Sequence, residues 1–317
     1  MTAPKVVIGL ITYGQHSLQY LSDFLAGLEG QTYRDYELVV LDNSEAAESA
    51  NYLWLRQYND NLRIIRPGVN LGFGAGFNLL IRAARELEAE YFFVANADTY
   101  WQPDALALLV SALETKPSLA AAAPKVLQWD FKHKIFSGTI DTCGLVLRSG
   151  LRFIDLGQGE VDAGQYDQAA ILGPSGCAGL WRLSVLEQIK EGDDQYFDAN
   201  FFMYKEDCDL AYRLNLAGWS SALVSQAIVY HERTASGGAS LQATLAARAG
   251  KSRQVKKWSF LNQLLLWTKY WHRQSWWQKV MIVTRCKLTS AYALLFEPYL
   301  LPEFLNWWRL RTKLKRY

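Results

Sequence analysis

Short apolar runs alternate with helical periodicities through the first third of the chain. Lys5 to Thr12, rich in Val and Ile, predicts a strand, and Ser17 to Leu28 follows with Leu18, Leu21, Leu25 and Leu28 at helical spacing. Tyr36 to Leu41 predicts a second strand ending on Asp42-Asn43-Ser44, and a helical stretch runs on to about Tyr58. Leu62 to Arg66 predicts a short third strand. The turn Asn70-Leu-Gly-Phe-Gly-Ala-Gly-Phe-Asn78 opens a helix lasting to about Glu88, and Tyr91 to Ala95 predicts a fourth strand. Strands and helices alternating in units of roughly thirty residues predict an α/β fold, with a mostly parallel sheet covered on both faces.

Beyond this the pattern loosens. A helix from Pro103 to Thr115, a strand from Leu119 to Leu127 and a hairpin from Gly138 to Arg152 are predicted, followed by a Gly- and Asp-rich loop from Asp155 to Gln168 that orders with ligand. The segment Gly173-Pro-Ser-Gly-Cys-Ala-Gly179 offers small residues that let another group approach the backbone. Glu206-Asp207-Cys208-Asp209-Leu210 starts a helix with Leu210, Leu214 and Ala217 on one face, closed by Gly218, and Ser221 to Tyr230 predicts a strand that stops on His231. From Thr244 onward the pattern is helical, broken near Pro298 and Pro302.

The chemistry gathers at strand ends. Tyr91 to Ala95 runs directly into Asn96-Ala97-Asp98. Asp98 either caps the helix that starts near Pro103 or, with Asn96, presents oxygen ligands to a hard divalent cation that binds a pyrophosphate. Thr12, Asp42, Asn70 and Asp98 each follow a predicted strand, and in an open α/β sheet such positions line one ligand-binding rim. Asp42 is either a helix cap or an acceptor for a nucleobase or ribose, with Thr12 and Tyr13 beside it. Glycines at 72, 74 and 76 miss the GxGxxG spacing and no Walker lysine follows, which excludes the dinucleotide fingerprint and the P-loop. Glu206, Asp207 and Asp209 crowd the first turn of a helix, where the macrodipole alone favours acids; a carboxylate there is also placed to serve as a general base. His231 is either a structural histidine or a cation ligand.

Composition narrows the reading. Half of the residues are apolar, which excludes disorder. The net charge of +2 divides sharply: from Leu245 onward 15 Lys and Arg face only Glu297 and Glu303, so this tail carries +13 and the part before it −11. The tail also holds seven of the twelve tryptophans. It is expected either to pack on the rest as a helical layer or to lie on the cytoplasmic leaflet, in peripheral contact with anionic lipid. The division expected is a catalytic domain over 1–240 and a basic helical region over 241–317. Cys143, Cys177, Cys208 and Cys286 show no metal or disulfide spacing, the first residues read as a strand rather than a signal peptide, and no run approaches the roughly 18 apolar residues of a membrane span. A cytoplasmic protein is expected, with the inner face of the cell membrane as an alternative placement.

In number and order these pieces resemble family 2 of the glycosyltransferases, inverting enzymes of the GT-A fold. The resemblance rests on Thr12-Tyr13, Asp42, Asn70 to Asn78, Asn96-Ala97-Asp98, Gly173 to Gly179, Glu206-Asp207 and His231, and covers about residues 5 to 235. Glu206-Asp207-Cys208-Asp209-Leu210 with Arg213 is similar to a rhamnosyltransferase-like branch. The resemblance implies that Asp42 and Asn78 bind the nucleotide of a donor bordered by Thr12, Tyr13, Asn70, Gly72, Gly76, Asn96 and Ala97. It implies Mg2+ or Mn2+ on Asp98 and His231, an acceptor beside Gly176, Cys177, Gly179 and Glu206, and Asp207 as base. Asn96 departs from a strict acid-x-acid motif, and Leu261 replaces the Arg of a tail Arg-Asn pair. The donor implied is deoxythymidine-diphospho-rhamnose (dTDP-rhamnose) or a UDP-sugar, and the acceptor a saccharide or lipid-linked hydroxyl in polysaccharide synthesis. The alternative is a non-catalytic nucleotide- or carbohydrate-binding protein; nucleic acid is not an expected partner.

Overall fold

The computed structural model describes residues 3–232, 248–315 and 317. Its main sheet runs in the order β10-β12-β6-β11-β4-β1-β2-β3. These strands are β1 (Val6–Thr12), β2 (Tyr36–Asp42), β3 (Arg63–Ile65), β4 (Tyr91–Asn96), β6 (Leu119–Asp130), β10 (Ala170–Ile171), β11 (Ala178–Arg182) and β12 (Ser220–His231). Strands β3, β2, β1, β4, β6 and β12 all point the same way, and β11 runs against both its neighbours, β4 and β6. Two further strands join by side pairings, β5 (Thr99–Trp101) on β12 and β7 (Ile135–Thr142) on β6. The α/β class and the leading β/α alternation follow the sequence pattern. The hairpin falls later than expected, as β8 (Leu145–Arg148) with β9 (Arg152–Asp155) in a separate sheet.

The parallel strands are buried on both faces, which is why they read as unbroken apolar runs. Val6, Ile8 and Leu10 face one core with α1 (Gly14–Glu29), α2 (Ala50–Tyr58) and α4 (Ala105–Thr115). Val7, Val39, Leu41, Phe92 and Val94 face the other with α3 (Gly72–Glu86), α5 (Leu183–Ile189) and α6 (Glu206–Leu216). Register then sets the rim: Thr12 lies opposite Asp42, and Ile11 opposite Asn96.

The C-terminal helices are α7 (Arg253–Tyr270), α8 (Trp276–Phe296) and α9 (Glu303–Leu310). The expected boundary at 240/241 lies outside the described residues. Helix α7 shares a core with α6 and the β8–β9 hairpin through Phe260, Leu264, Leu265, Tyr270, Cys208, Ala211, Tyr212 and Phe153. Lys269 is fully buried, with Nζ 2.8 Å from Asp198 and Asp209 and 3.0 Å from Glu191. Arg213 Nε donates to Asp209 at 2.9 Å, and the Tyr317 hydroxyl donates to Glu191 at 2.6 Å. The packing-layer reading of the tail therefore holds for α7. Helices α8 and α9 differ, because Trp276, Trp277, Leu294, Leu295, Phe296, Leu305 and Trp308 are exposed there. No described helix is long and apolar enough to cross a membrane.

Candidate functional site

Asp98 sits in the two-residue step between β4 and β5, and β5 carries it to the end of β12, where Thr99 pairs with His231. His231 Nε2 lies 3.3 Å from Asp98 Oδ1, and His231 Nδ1 lies 2.8 Å from Asp141 Oδ2 at the end of β7. Burial alone would lower the His231 pKa, but the Asp98 and Asp141 carboxylates more than offset it and raise it to about 10. Asp141, Cys177 and His231 also bring one ligand atom each within 4.8 Å of one another. Carboxylate oxygens beside an imidazole whose far nitrogen is fixed by a second carboxylate would suit a divalent cation such as Mg2+ or Mn2+ that takes the place of the Nε2 proton. Asn96 is half-buried at the end of β4, and Ala97 is buried beside it.

The segment before β11 joins this cluster to Asp207. The Cys177 carbonyl accepts from the Asn96 amide at 3.1 Å, while one residue earlier the Gly176 amide donates to Asp207 Oδ2 at 2.9 Å. A Cβ at Gly176 would stand 3.3 Å from that same oxygen and from Phe73 Cζ. Gly179 instead packs in the strand, where a Cβ would meet Pro174 at 2.4 Å. Asp207 is half-buried in the first turn of α6, and its Oδ1 accepts from the Cys208 amide at 2.7 Å. Burial, then the charge of Asp155, raise its pKa above the usual carboxylate range. Glu206 is buried, and its Oε2 has no hydrogen-bond partner among the described residues. Burial, then the charge of Asp207, lift its pKa well above the ordinary value.

The donor rim is assembled differently from the simple expectation. Asp42 is fully buried and accepts from Ser49 Oγ, from Arg66 Nε at 3.3 Å and from Thr12 Oγ1 at 3.4 Å. It therefore anchors Arg66 rather than standing open to a base or ribose. Asn78 spends its amide inside the protein: Oδ1 accepts from the Tyr196 and Phe197 amides, and Nδ2 donates to the Phe197 carbonyl at 2.8 Å. Asn70 Oδ1 accepts from the Gly72 amide and from Asn43 Nδ2, both at 2.9 Å. Gly72 takes φ +73°, and a Cβ there would lie 2.3 Å from the Phe202 carbonyl; Gly76 is pressed against Ile11 and Leu41. The early amides of α3 are thus partly spent, with the Phe73 N–H donating to the Phe202 carbonyl at 2.8 Å. Tyr13, at the N-cap of α1, keeps an exposed ring.

The family described as glycosyltransferase like family 2 matches residues 4–250. The chain belongs to this family. The glycosyltransferase is 26% identical over 257 residues to N-acetylglucosaminyl-diphospho-decaprenol L-rhamnosyltransferase of Mycobacterium tuberculosis, in two strains, covering 72% of this chain and 76% of that protein. Among solved structures it is similar to GalNAc-T7 with UDP, GalNAc and Mn2+ (TM-score 0.59, 11% identity, 84% of this chain and 48% of that one). It is also similar to the mannosyltransferase PcManGT from Pyrobaculum calidifontis in complex with GDP-Man and Mn2+ (TM-score 0.52, 16% identity, 98% and 75%). S. aureus TarS follows with TM-score 0.50 and 16% identity, over 73% of this chain and 37% of that one. The glycosyltransferase thus spans less than half of the GalNAc-T7 and TarS chains. At these identities the likeness shows the fold, which is GT-A.

Sequence reasoning gave no role to three residues around this site, although it marked Asn262 as the Asn of the tail pair. Asp141 was unmarked, although an acid at the fully buried end of a strand is itself a signal. Asn43 ties the end of β2 to the glycine turn, accepting from the Leu71 amide at 2.8 Å. Asn262 of α7 donates to the Met203 and Tyr204 carbonyls at 2.9 and 2.7 Å, where Tyr204 and Lys205 both hold φ +74° immediately before Glu206. Left-handed backbone at non-glycine residues is strained and persists only where its surroundings hold it, which here is the tail's task.

Proposed function

We propose that this glycosyltransferase is a metal-dependent, inverting hexosyltransferase that moves rhamnose or another hexose from a nucleotide-diphosphate donor to a hydroxyl of a saccharide or lipid-linked acceptor. The observation that carries the reading is the run of contacts that brings the Asp98–His231 pair and Asp207 together: the Gly176 amide donates to Asp207, and the next residue, Cys177, accepts from Asn96 beside Asp98. Asp98 and His231 would hold Mg2+ or Mn2+, and Asp141 fixes the imidazole. The bound ion supplies positive charge for a departing pyrophosphate. Asp207 takes the proton of the acceptor hydroxyl as its oxygen bonds to the anomeric carbon on the side opposite the nucleotide, so configuration inverts and the proton ends on the Asp207 carboxyl. Its raised pKa makes it a stronger base than an exposed aspartate. The glycine turn and the Asp42-anchored Arg66 form the donor wall.

The relative named as a rhamnosyltransferase acting on a diphospho-decaprenol supports dTDP-rhamnose as donor, with UDP-sugars as the second choice, and a lipid-linked acceptor. The exposed Trp and Leu side chains of α8 and α9, set among Lys279, Arg285, Lys287, Arg309 and Arg311, support peripheral contact with anionic lipid at the cytoplasmic face. The test is transfer from radiolabelled dTDP-rhamnose and UDP-sugars to a lipid-linked saccharide with Mn2+: product of inverted anomeric configuration is expected, and retained configuration or no turnover of any donor contradicts the proposal. Flotation with anionic vesicles tests placement; absence of binding at low salt removes the membrane contact.

A further inference from the structure

Two arginines meet over a cavity between the β8–β9 hairpin and the C-terminal helices. The cavity measures about 240 Å3 and is lined by Leu151, Arg152, Gln263, Trp267, Arg285 and Leu288. A second, of about 190 Å3, adjoins it across Gln263, Trp267 and Thr289. The hairpin turn is fixed against the helices, since the Gly150 amide donates to Gln278 Oε1 at 2.6 Å and Trp267 Nε1 donates to the Gly150 carbonyl at 3.0 Å. Arg285 lies along this turn, with Cδ and Nε 2.9 Å from where a Gly150 Cβ would stand. Its Nε is buried without a hydrogen-bond partner among the described residues. No carboxylate of the described residues forms an ion pair with Arg285 or Arg152.

A buried guanidinium nitrogen left unpaired is costly, and phosphate oxygens are the acceptors that suit it. Gln263 and Thr289 add polar groups to the lining, while Leu151, Trp267 and Leu288 give it an apolar side; Leu288 is 66% exposed on α8, which also exposes Leu294, Leu295 and Phe296. The ligand chemistry is therefore an anion attached to a long apolar chain. Position fits as well: β9 leads from Arg152 to Asp155, whose charge acts on Asp207. Three strand residues span about 10 Å, the scale of one sugar and its phosphates.

We propose that this cavity seats the diphosphate of a polyprenyl-linked acceptor, with Arg152 and Arg285 on the phosphate oxygens and the first isoprene units along Trp267 and Leu288. The proposal rests on the transferase reading and adds to it the acceptor's class and seat. Arg285 and Arg152 act as acceptor-binding residues, remote from the atoms that react.

Flotation of the full chain tests it without requiring turnover. Phosphatidylcholine vesicles doped with polyprenyl diphosphate are compared with phosphatidylcholine vesicles carrying the same charge as phosphatidylglycerol. Wild type is expected to bind the first about tenfold more tightly, and Arg285→Gln with Arg152→Gln to abolish the preference. Arg285→Lys keeps the charge but loses the fork and the Nε, and is expected to lose most of the preference too; its thermal unfolding transition confirms that it folds. Equal binding to both vesicles by wild type, or a full preference in Arg285→Lys and the double variant, overturns the seat. A donor that fails to bind with Mn2+ sinks the transferase reading instead, and the two failures are read in separate experiments.

Discussion

The Gly176 amide donates to Asp207 Oδ2 at 2.9 Å, and the carbonyl of the next residue, Cys177, accepts from the amide of Asn96, two residues before Asp98. One turn thus ties Asp207 to the backbone beside Asp98. Asp207→Asn preserves shape and removes basicity, so kcat is expected to fall by about 10²- to 10⁴-fold with donor affinity unchanged. Steady-state transfer kinetics beside donor titration check this.

The acid limb of the rate profile reports the same residue. Burial, then Asp155, hold the Asp207 pKa above the ordinary aspartate value, so the base becomes protonated, and transfer is lost, at a pH higher than an exposed aspartate requires. Removing a neighbouring negative charge favours the ionised form. Asp155→Asn is therefore expected to move the acid limb of kcat/KM to lower pH, and a limb that stays in place or moves up speaks against the assignment.

Asp141 grips the far nitrogen of His231 at 2.8 Å. Carboxylates in that position commonly contribute about 10- to 100-fold in metal affinity, and Asp141→Asn is expected to weaken Mn2+ binding by that much. Calorimetric Mn2+ titration measures it, and excess Mn2+ should restore transfer.

Much of the parallel half of the sheet was legible because a strand buried on both faces writes itself as an apolar run, and the polar residue that follows the run marks the sheet's edge. Thr12 and Asp42 end β1 and β2, and Asp98 follows the end of β4 by two residues. What each side chain touches was hidden, since Asp42 with Arg66 and Asn78 with Phe197 are pairings set by tertiary packing. The reversal of β11 was equally invisible, because a five-residue strand reads the same in either direction. Lys269 looked like one more cation of a basic tail. Only the fold reveals that three acids on two distant segments surround it.

That cluster makes a stability prediction. Lys269→Met leaves Glu191, Asp198 and Asp209 buried, with Arg213 still paired to Glu191 and Asp209 and no cation on Asp198 among the described residues. Uncompensated buried charge typically costs about 3–5 kcal/mol, and a loss of this size is expected in denaturant unfolding.

The most direct test of the central claim is donor binding followed by thermal unfolding, with and without Mn2+, across wild type, Asp98→Asn and Asp207→Asn. A donor present at a hundredfold its dissociation constant stabilises the folded chain by about 2.7 kcal/mol. The account requires an Mn2+-dependent rise in unfolding temperature for at least one nucleotide-sugar, kept in Asp207→Asn and lost in Asp98→Asn. No rise with any nucleotide-sugar, or one that persists undiminished in Asp98→Asn, contradicts it.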